Sequence, residues 1–582
     1  MPPWVTRQWH VLRGLKPATA RIYRAHHLAL RAYSQTSDGD DRDGTLKLST
    51  ANSAIIIPSS IVGTTPEDLI KHITPVEKKH LTRDRFAVFL VTPSFAPWLL
   101  DDSAFVHKAL RQAYGEWFSL AKQPYTRVHA LCAVVDKLPA PRTLPSLDDI
   151  TSLEKEARDR AKQPPVGETG LEGIAYATLC FSDSIPSSSE PPADQAAITF
   201  VASKTSEDSA GYFSDTLRLP LANTVFQTGT PSTMIYSTWE KSKDAVDFTL
   251  KAKQQVTHHG IMIHTGAPGT KQTSALTVPL IPLTTPRQVE ASMGNILRRI
   301  TGPDGNSVVA SQELEKVVPQ FYSARGESAQ ATMAWALVMS KETLEPILAA
   351  TNSILGRLSE DASKGSAAAD AELWENLWKK HPTAFNDLVA NALAAGARLH
   401  RVLSGGGGWG KKAGLLSLDP VATAQDNNST EGSMFDGPGD LSFALQQVAR
   451  DGDFIQFFIS PSSGTQGGSA DDIEKLKGLE NLDNKWSWEL GTIPSTADAL
   501  PAGSWQHDAA TPKETFVLRH SFGALTEAGM MISRQFKLDP NESFSLIGGS
   551  KVDVPFSRFS AVTTGLEEGI HEEAVCDPVE QA

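Results

Sequence analysis

The chain has 582 residues, three cysteines and a formal net charge of −13, from 54 Lys+Arg against 67 Asp+Glu. So acidic a body repels a phosphate backbone at long range, which counts against general nucleic-acid binding. No run reaches the roughly 18 apolar residues of a transmembrane segment, and Cys132, Cys180 and Cys576 have the spacing of neither a zinc ribbon nor a disulfide framework, so no metal site is expected.

Residues 1–33 contain no Asp or Glu but six cations, Arg7, Arg13, Lys16, Arg21, Arg24 and Arg31. A basic, acid-free leader interrupted by Arg and His is the composition of a mitochondrial transit peptide. Arg31-Ala32-Tyr33-Ser34 reads as its cleavage site, which predicts import into the matrix. Removing the leader leaves 54 − 6 = 48 cations against 67 acids, a net charge of −19. The remaining chain exceeds what one core usually serves, so two or more domains are expected.

The next segments alternate apolar runs with helical patterns. SAIIIP at 53–58 and FAVFLV at 86–91 are continuous apolar runs, as strands covered on both faces require. Between the second run and VHALCAVV, residues 104–120 place Phe105, Ala109, Leu110, Ala113 and Trp117 near helical spacing. Strand, helix, strand is the pattern of a crossover unit. Cys132 and Cys180 lie in apolar runs and read as buried, inert thiols. A charged helix is predicted over 147–160, further strands over 173–181 and 196–202, and a loop without packing content over 184–192.

LRLPLANTVFQTG, at 217–229, is an extended apolar segment in which Asn223, Thr224, Gln227 and Thr228 are polar groups that need partners, either neighbouring backbone or a ligand. In THHGIMIHTG, His258 and His264 on a strand would stand about 20 Å apart at ~3.3 Å per residue, too far to share one ion. Residues 285–300 carry Thr285 as N-cap, Pro286 at the first helical position, Gln288 for a capping box and an apolar face at Val289, Met293, Ile296, Leu297 and Ile300. These signals predict a helix, with Arg287 at its N-terminus as a hint of anion binding.

Helices are expected at 311–322, 328–339, 343–358, 371–380 and 385–402. Strands follow at 454–460, 486–493, 515–525, 531–538, 544–546 and 552–562, separated by polar linkers. The fold class so predicted is α/β, with a mixed sheet and crossover helices in the N-terminal half, a helical subdomain, and a strand-rich C-terminal part. The domain boundaries that go with it are 1–33 (transit peptide), 34–305 (α/β domain), 306–403 (helical subdomain) and 404–582 (glycine-rich loop and strand-rich domain).

The most unusual stretch is the loop Gly405, Gly406, Gly407, Gly408, Trp409, Gly410, Lys411 and Lys412. Its glycines and first lysine match a phosphate-cradling loop, but Lys412 stands where a hydroxyl is needed and the preceding element reads as a helix. What remains is either an anion-binding nest of glycine amides with two lysines and a stacking tryptophan or a hinge. Gly-x-Ser-x-Gly is absent, and the paired carboxylates Asp101-Asp102, Asp148-Asp149 and Asp471-Asp472 sit where capping explains them.

The succession FAVFLVTPSF, RVHALCAVVD, EGIAYATLCF and LPLANTVFQTG resembles the FIST sensory-domain family and fungal mitochondrial proteins that carry such a domain, over residues ~80–300. The resemblance implies small-ligand sensing by an α/β part followed by a second ligand-associated part, and it assigns no binding residues here. Three functions stay open. The first is a non-catalytic mitochondrial matrix protein that binds a small anionic ligand or a mitochondrial protein partner. The second is an enzyme acting on an anionic or phosphorylated substrate at the glycine loop. The third is a scaffold in a mitochondrial assembly. No cofactor is identified.

Overall fold

The structure is a computed structural model and describes residues 52–76, 84–115, 125–140, 170–186, 196–205, 212–242, 247–263, 271–328, 332–345, 347–348, 375, 378–379, 386–405, 414–420, 447–460, 476–477, 486–495, 514–538 and 545–564. The expected transit peptide, the helix at 147–160, most of 343–380, the linkers and residues 406–412 lie outside these.

Strands, numbered β1 to β25 along the chain, dominate. A seven-stranded sheet has the order β21 (Thr515–Arg519), β1 (Asn52–Pro58), β4 (Ile174–Cys180), β2 (Arg85–Val91), β3 (Tyr125–Val134), β8 (Met234–Ser242), β9 (Thr249–Gln255). All seven residues of β2 are buried, as its unbroken apolar run requires. One face packs on helices α1 (Pro66–Ile70) and α2 (Val106–Tyr114), with Ala87, Phe89 and Val91 meeting Phe105, Ala109, Leu110 and Ala113. The other face carries Phe86, Val88 and Leu90 into a second core.

That second core is shared with a six-stranded sheet in the order β24 (Ser545–Val552), β23 (Met530–Lys537), β7 (Tyr212–Pro220), β6 (Ala197–Thr205), β10 (His258–Ile263), β5 (Ser184–Pro186). Ile198, Phe200, Leu217, Leu219 and Ile261 supply its side of the contact. A four-stranded sheet, β11 (Lys271–Thr277), β25 (Arg558–Thr564), β20 (Trp486–Thr492) and β22 (Ser521–Thr526), extends the same core with Leu490, Phe522 and Phe559.

The fourth unit is a closed six-stranded barrel: β13 (Arg287–Met293), β14 (Ile296–Thr301), β18 (Leu416–Leu418), β17 (Arg398–Gly405), β16 (Ala334–Met339) and β19 (Phe454–Ile459), with β19 pairing back to β13. Every pair is antiparallel. Short strands β12 (Ile281–Pro282) and β15 (Ser307–Val309) flank it. Helix α4 (Ala310–Arg325) packs Leu314, Val317 and Phe321 into one cluster with Val289, Leu297, Val338, Leu416, Ile455 and Phe457 of the barrel strands. The alternate residues Trp335, Leu337, Met339 and Phe458 join the large core instead. AWALVM therefore serves two apolar environments at once, as a doubly buried strand does.

The architecture corrects the predicted α/β class: the chain is strand-rich, with several sheets and a closed barrel. A helical crossover is present where β2 and β3 pair in parallel with α2 between them. The helix expected over 285–300 is the hairpin β13–β14. Gly294 at its turn has φ 58, the positive value that a two-residue hairpin turn demands at its first position, and Asn295 donates through Nδ2 to the Leu418 carbonyl at 3.0 Å. The helix expected over 328–339 is likewise replaced by β16, and of 385–402 only helix α5 (Asn386–Ala394) is helical. Gly396, at φ 97, ends it and β17 begins. Among the described residues of 306–403, β16 and β17 belong to the barrel. Strands from both ends of the chain share sheets, as β1 with β21, β7 with β23 and β11 with β25, so the boundaries expected at 305 and 403 do not separate sheets. Cys132 is a buried free thiol; Cys180 is disulfide-bonded rather than the inert thiol expected.

Sheet contacts this close depend on glycine at particular points. A Cβ at Gly523 would overlap the Glu489 carbonyl and come within 2.8 Å of Pro139 Cγ, whereas one at Gly115, past α2, would meet nothing within 4 Å. Gly523→Ala is expected to destabilise by about 2–3 kcal/mol, while Gly115→Ala is neutral or slightly stabilising. Urea unfolding of the two variants beside the parent chain measures the difference.

Candidate functional site

Of the residues singled out in the sequence, Gly405 is the last residue of β17 and faces Leu416 of β18. A side chain there would come within 2.6 Å of Leu416 Cδ1, so close packing already accounts for this glycine. The next described element after the run, β18, pairs antiparallel with β17. The run thus joins a hairpin, where a phosphate loop needs a strand leading into a helix. Gly406, Gly407, Gly408, Trp409, Gly410, Lys411 and Lys412 lie outside the described residues. Arg287 is on β13, and its Nη2 lies 3.4 Å from Glu313 Oε1 of α4, both side chains being largely buried. Asn223 and Gln227 lie at helix α3 (Val225–Thr228). Asn223 Oδ1 accepts the Val225 N–H at 3.1 Å, while Gln227 Oε1 is buried without a partner. The structure places Gly405 and Arg287 on the barrel strands β17 and β13 and Asn223 and Gln227 at α3, outside the barrel.

It forms two other polar sites. The first is a small, half-open cleft between α5, the pair β23–β24 and the pair β11–β25. Leu276, Leu393, Ile532 and Phe559 give it apolar walls, and Arg534 reaches into it beside Gly548 and Gly549. Arg534 is fixed by a bidentate pair with the buried Asp215 of β7, Nε to Oδ1 at 2.6 Å and Nη2 to Oδ2 at 2.7 Å. Burial opposes the charge on this guanidinium, but the Asp215 hydrogen bonds outweigh it and hold its pKa up. Nη1 is left without a protein partner among the described residues. Opposite Arg534 the β23–β24 register slips, so that Ile547 is the extra residue of a bulge, a device that redirects side chains beside sites.

The second site is a row of hydroxyl and imidazole groups where the seven- and six-stranded sheets meet. His129 of β3 shares its Nδ1 with Tyr236 Oη at 2.9 Å and Thr238 Oγ1 at 3.2 Å, both from β8. Ser184 Oγ of β5 lies 2.9 Å from His259 Nε2 of β10, and the Ser184 side chain also interacts with the Tyr236 hydroxyl. Burial lowers the pKa of His129 and of His259 to about 4, with the Arg127 charge adding to the effect at His129. Both imidazoles are therefore neutral at pH 7. Burial also raises the Tyr236 pKa, against a smaller opposing effect of Ser184. The neighbouring His258 faces away and contacts Arg218 at 2.7 Å; His264 lies outside the described residues.

Comparison with family models, with curated proteins and with solved structures finds no match. Sequence reasoning passed over both sites. Arg534 and Asp215 are 319 positions apart, and Tyr236 and His129 are 107 apart, so no local spacing signals either pair. Ser184 falls in a stretch read as a loop without packing content, whereas residues 184–186 form β5.

Three buried histidines make stability depend on pH. His400 inside β17 donates from Nδ1 to the Asp419 carbonyl at 2.8 Å, and burial lowers its pKa to about 4 as well. A depressed histidine gives stability that is present above its unfolded pKa of ~6.5 and is lost as pH falls toward 4. Asp136 works in the opposite sense: burial raises its pKa to about 6 despite the Glu527 N–H it accepts, so its contribution is present at low pH and lost as pH rises through 6. Three groups outweigh one, and thermal stability is expected to fall between pH 7 and pH 5. The net slope is on the order of 1 kcal/mol per pH unit for each uncompensated histidine. Melting temperatures of the parent and of Asp136→Asn check the sign, the variant being expected to show the steeper loss.

Proposed function

We propose that this chain is a mitochondrial matrix protein that binds a small oxygen-bearing ligand, best matched by a short amphipathic carboxylate, in the cleft at Arg534. The observation that carries the reading is a guanidinium whose one edge is locked to Asp215 and whose Nη1 has no protein partner among the described residues. A fixed planar donor of this kind suits a carboxylate or carbonyl oxygen, and the Leu276, Leu393, Ile532 and Phe559 walls suit an apolar tail. Because Asp215 balances the charge of Arg534, one further anionic oxygen meets a site that is neutral overall. Few polar groups in an apolar cleft is the usual composition of a small-molecule site. The basic, acid-free leader at 1–33 supports the matrix assignment.

Thermal-shift titration of the full-length protein with short-chain carboxylates, their amides, acyl-CoA and nucleotides tests this. A carboxylate at 100 times its Kd is expected to stabilise by about 2.7 kcal/mol. Arg534→Gln should abolish the shift by removing the donor, and Ala394→Leu should abolish it by filling the cleft while leaving the Asp215 pair in place. No shift with any carboxylate, or a shift that survives both changes, overturns the assignment. A shift lost only in the Lys411→Ala/Lys412→Ala double variant would move the ligand to the glycine run.

A further inference from the structure

The row at the sheet seam contains a hydroxyl placed against a base, and its neighbours hold both in position. Ser184 directly follows a 3-10 turn, Phe181–Asp183, and its N–H bonds back to the Phe181 carbonyl. Asp183 closes that turn by accepting the Cys180 N–H at 3.0 Å. His259 lies between two rings, 5.2 Å from Tyr236 and 5.6 Å from Phe86. At Gly260, beside it, a Cβ would meet Ile185 Cβ at 2.9 Å, so glycine lets β5 approach and brings Ser184 within reach of the imidazole. β5 is an edge strand of its sheet. Phe181, which covers the His129 ring at 4.2 Å, is itself 37% exposed, whereas Ser184 and His259 are buried, so a substrate reaches them past Phe181.

We propose that Ser184 is a nucleophile that accepts an acyl group from a small activated ester or thioester, with His259 as its general base. In this step a bond forms between Ser184 Oγ and the acyl carbon as the bond from that carbon to the leaving oxygen or sulfur breaks. The serine proton passes to His259 Nε2 and then to the leaving group. Water, deprotonated by the same imidazole, releases the acid and returns the proton to Oγ. Tyr236, next to Ser184 and bonded to His129, is a positioning residue that keeps the hydroxyl turned toward His259. Among the described residues His259 makes no hydrogen bond to a carboxylate, so its imidazolium has less support than in a complete triad. Activated esters, not amides, are therefore the substrate class. The alternative is a seam whose buried hydroxyls and imidazoles only satisfy one another, and it predicts an inert serine.

The two are separated by incubating the full-length protein with an alkyl fluorophosphonate and mapping the adduct by peptide mass. One phosphonyl group is expected on the peptide carrying Ser184, absent from that peptide in Ser184→Ala, and formed about 100-fold more slowly in His259→Gln. Labelling of the parent protein in urea serves where the histidine variant fails to fold, and the adduct should then disappear with the structure. No adduct at Ser184 in the folded protein, an undiminished rate in a folded His259→Gln, or equal labelling of folded and unfolded chain would each overturn the proposal.

Discussion

Burial of both faces of the central strands is the constraint on which the rest of this structure depends. β2 has no exposed residue, and β4 beside it and β1 beyond are nearly as buried. A sheet of this kind is stable only when something apolar lies on each side. Helices α1 and α2 cover one side. A second sheet covers the other, and the large core is chiefly the contact between sheets. The same solution repeats at β16, whose two faces serve the barrel interior and the large core.

This arrangement also explains where the polar chemistry sits. Hydroxyls, imidazoles and guanidinium groups cannot enter a sheet-on-sheet core without partners. They gather at its margins, where strands at or near sheet edges meet: Ser184 and Tyr236 at one seam, Arg534 with Asp215 beside the short helix α5. At each margin the side chains are tied to one another before any ligand arrives. Such pre-fixed geometry lowers the ordering cost of binding or reaction. The low dielectric that keeps His129 and His259 neutral also strengthens the hydrogen bonds they make.

Close approach of backbones is the third recurring element. Gly260 lets β5 come near β10, Gly523 lets β22 lie against β20, and Gly396 lets the end of α5 touch the β24 bulge. None of these belongs to the glycine run, whose first member serves packing between β17 and β18. Glycine in this fold is mostly a matter of space between strands, with positive φ needed at turns such as Gly294 and Gly396.

The sequence by itself determined the elements whose apolar pattern is unambiguous. FAVFLV, VHALCAVV and IAYATLC are strands and 106–114 is a helix, because runs buried on both faces and a single buried helical stripe have few other solutions. It also marked most C-terminal strands, although His520 at φ 55 divides 515–525 into two and Phe556 at φ 66 delays the last one to Arg558. Tertiary structure decided the rest. Thr285-Pro286 with an i, i+3, i+4 apolar pattern satisfies a helix locally, yet Gly294-Asn295 makes a hairpin that closes a barrel, and pairing with β18 and β19 outweighs propensity. The functional groups were the least legible of all. Ser184 meets His259, and Asp215 meets Arg534, only because strands distant in sequence share a sheet, and no periodicity within a strand encodes its partner.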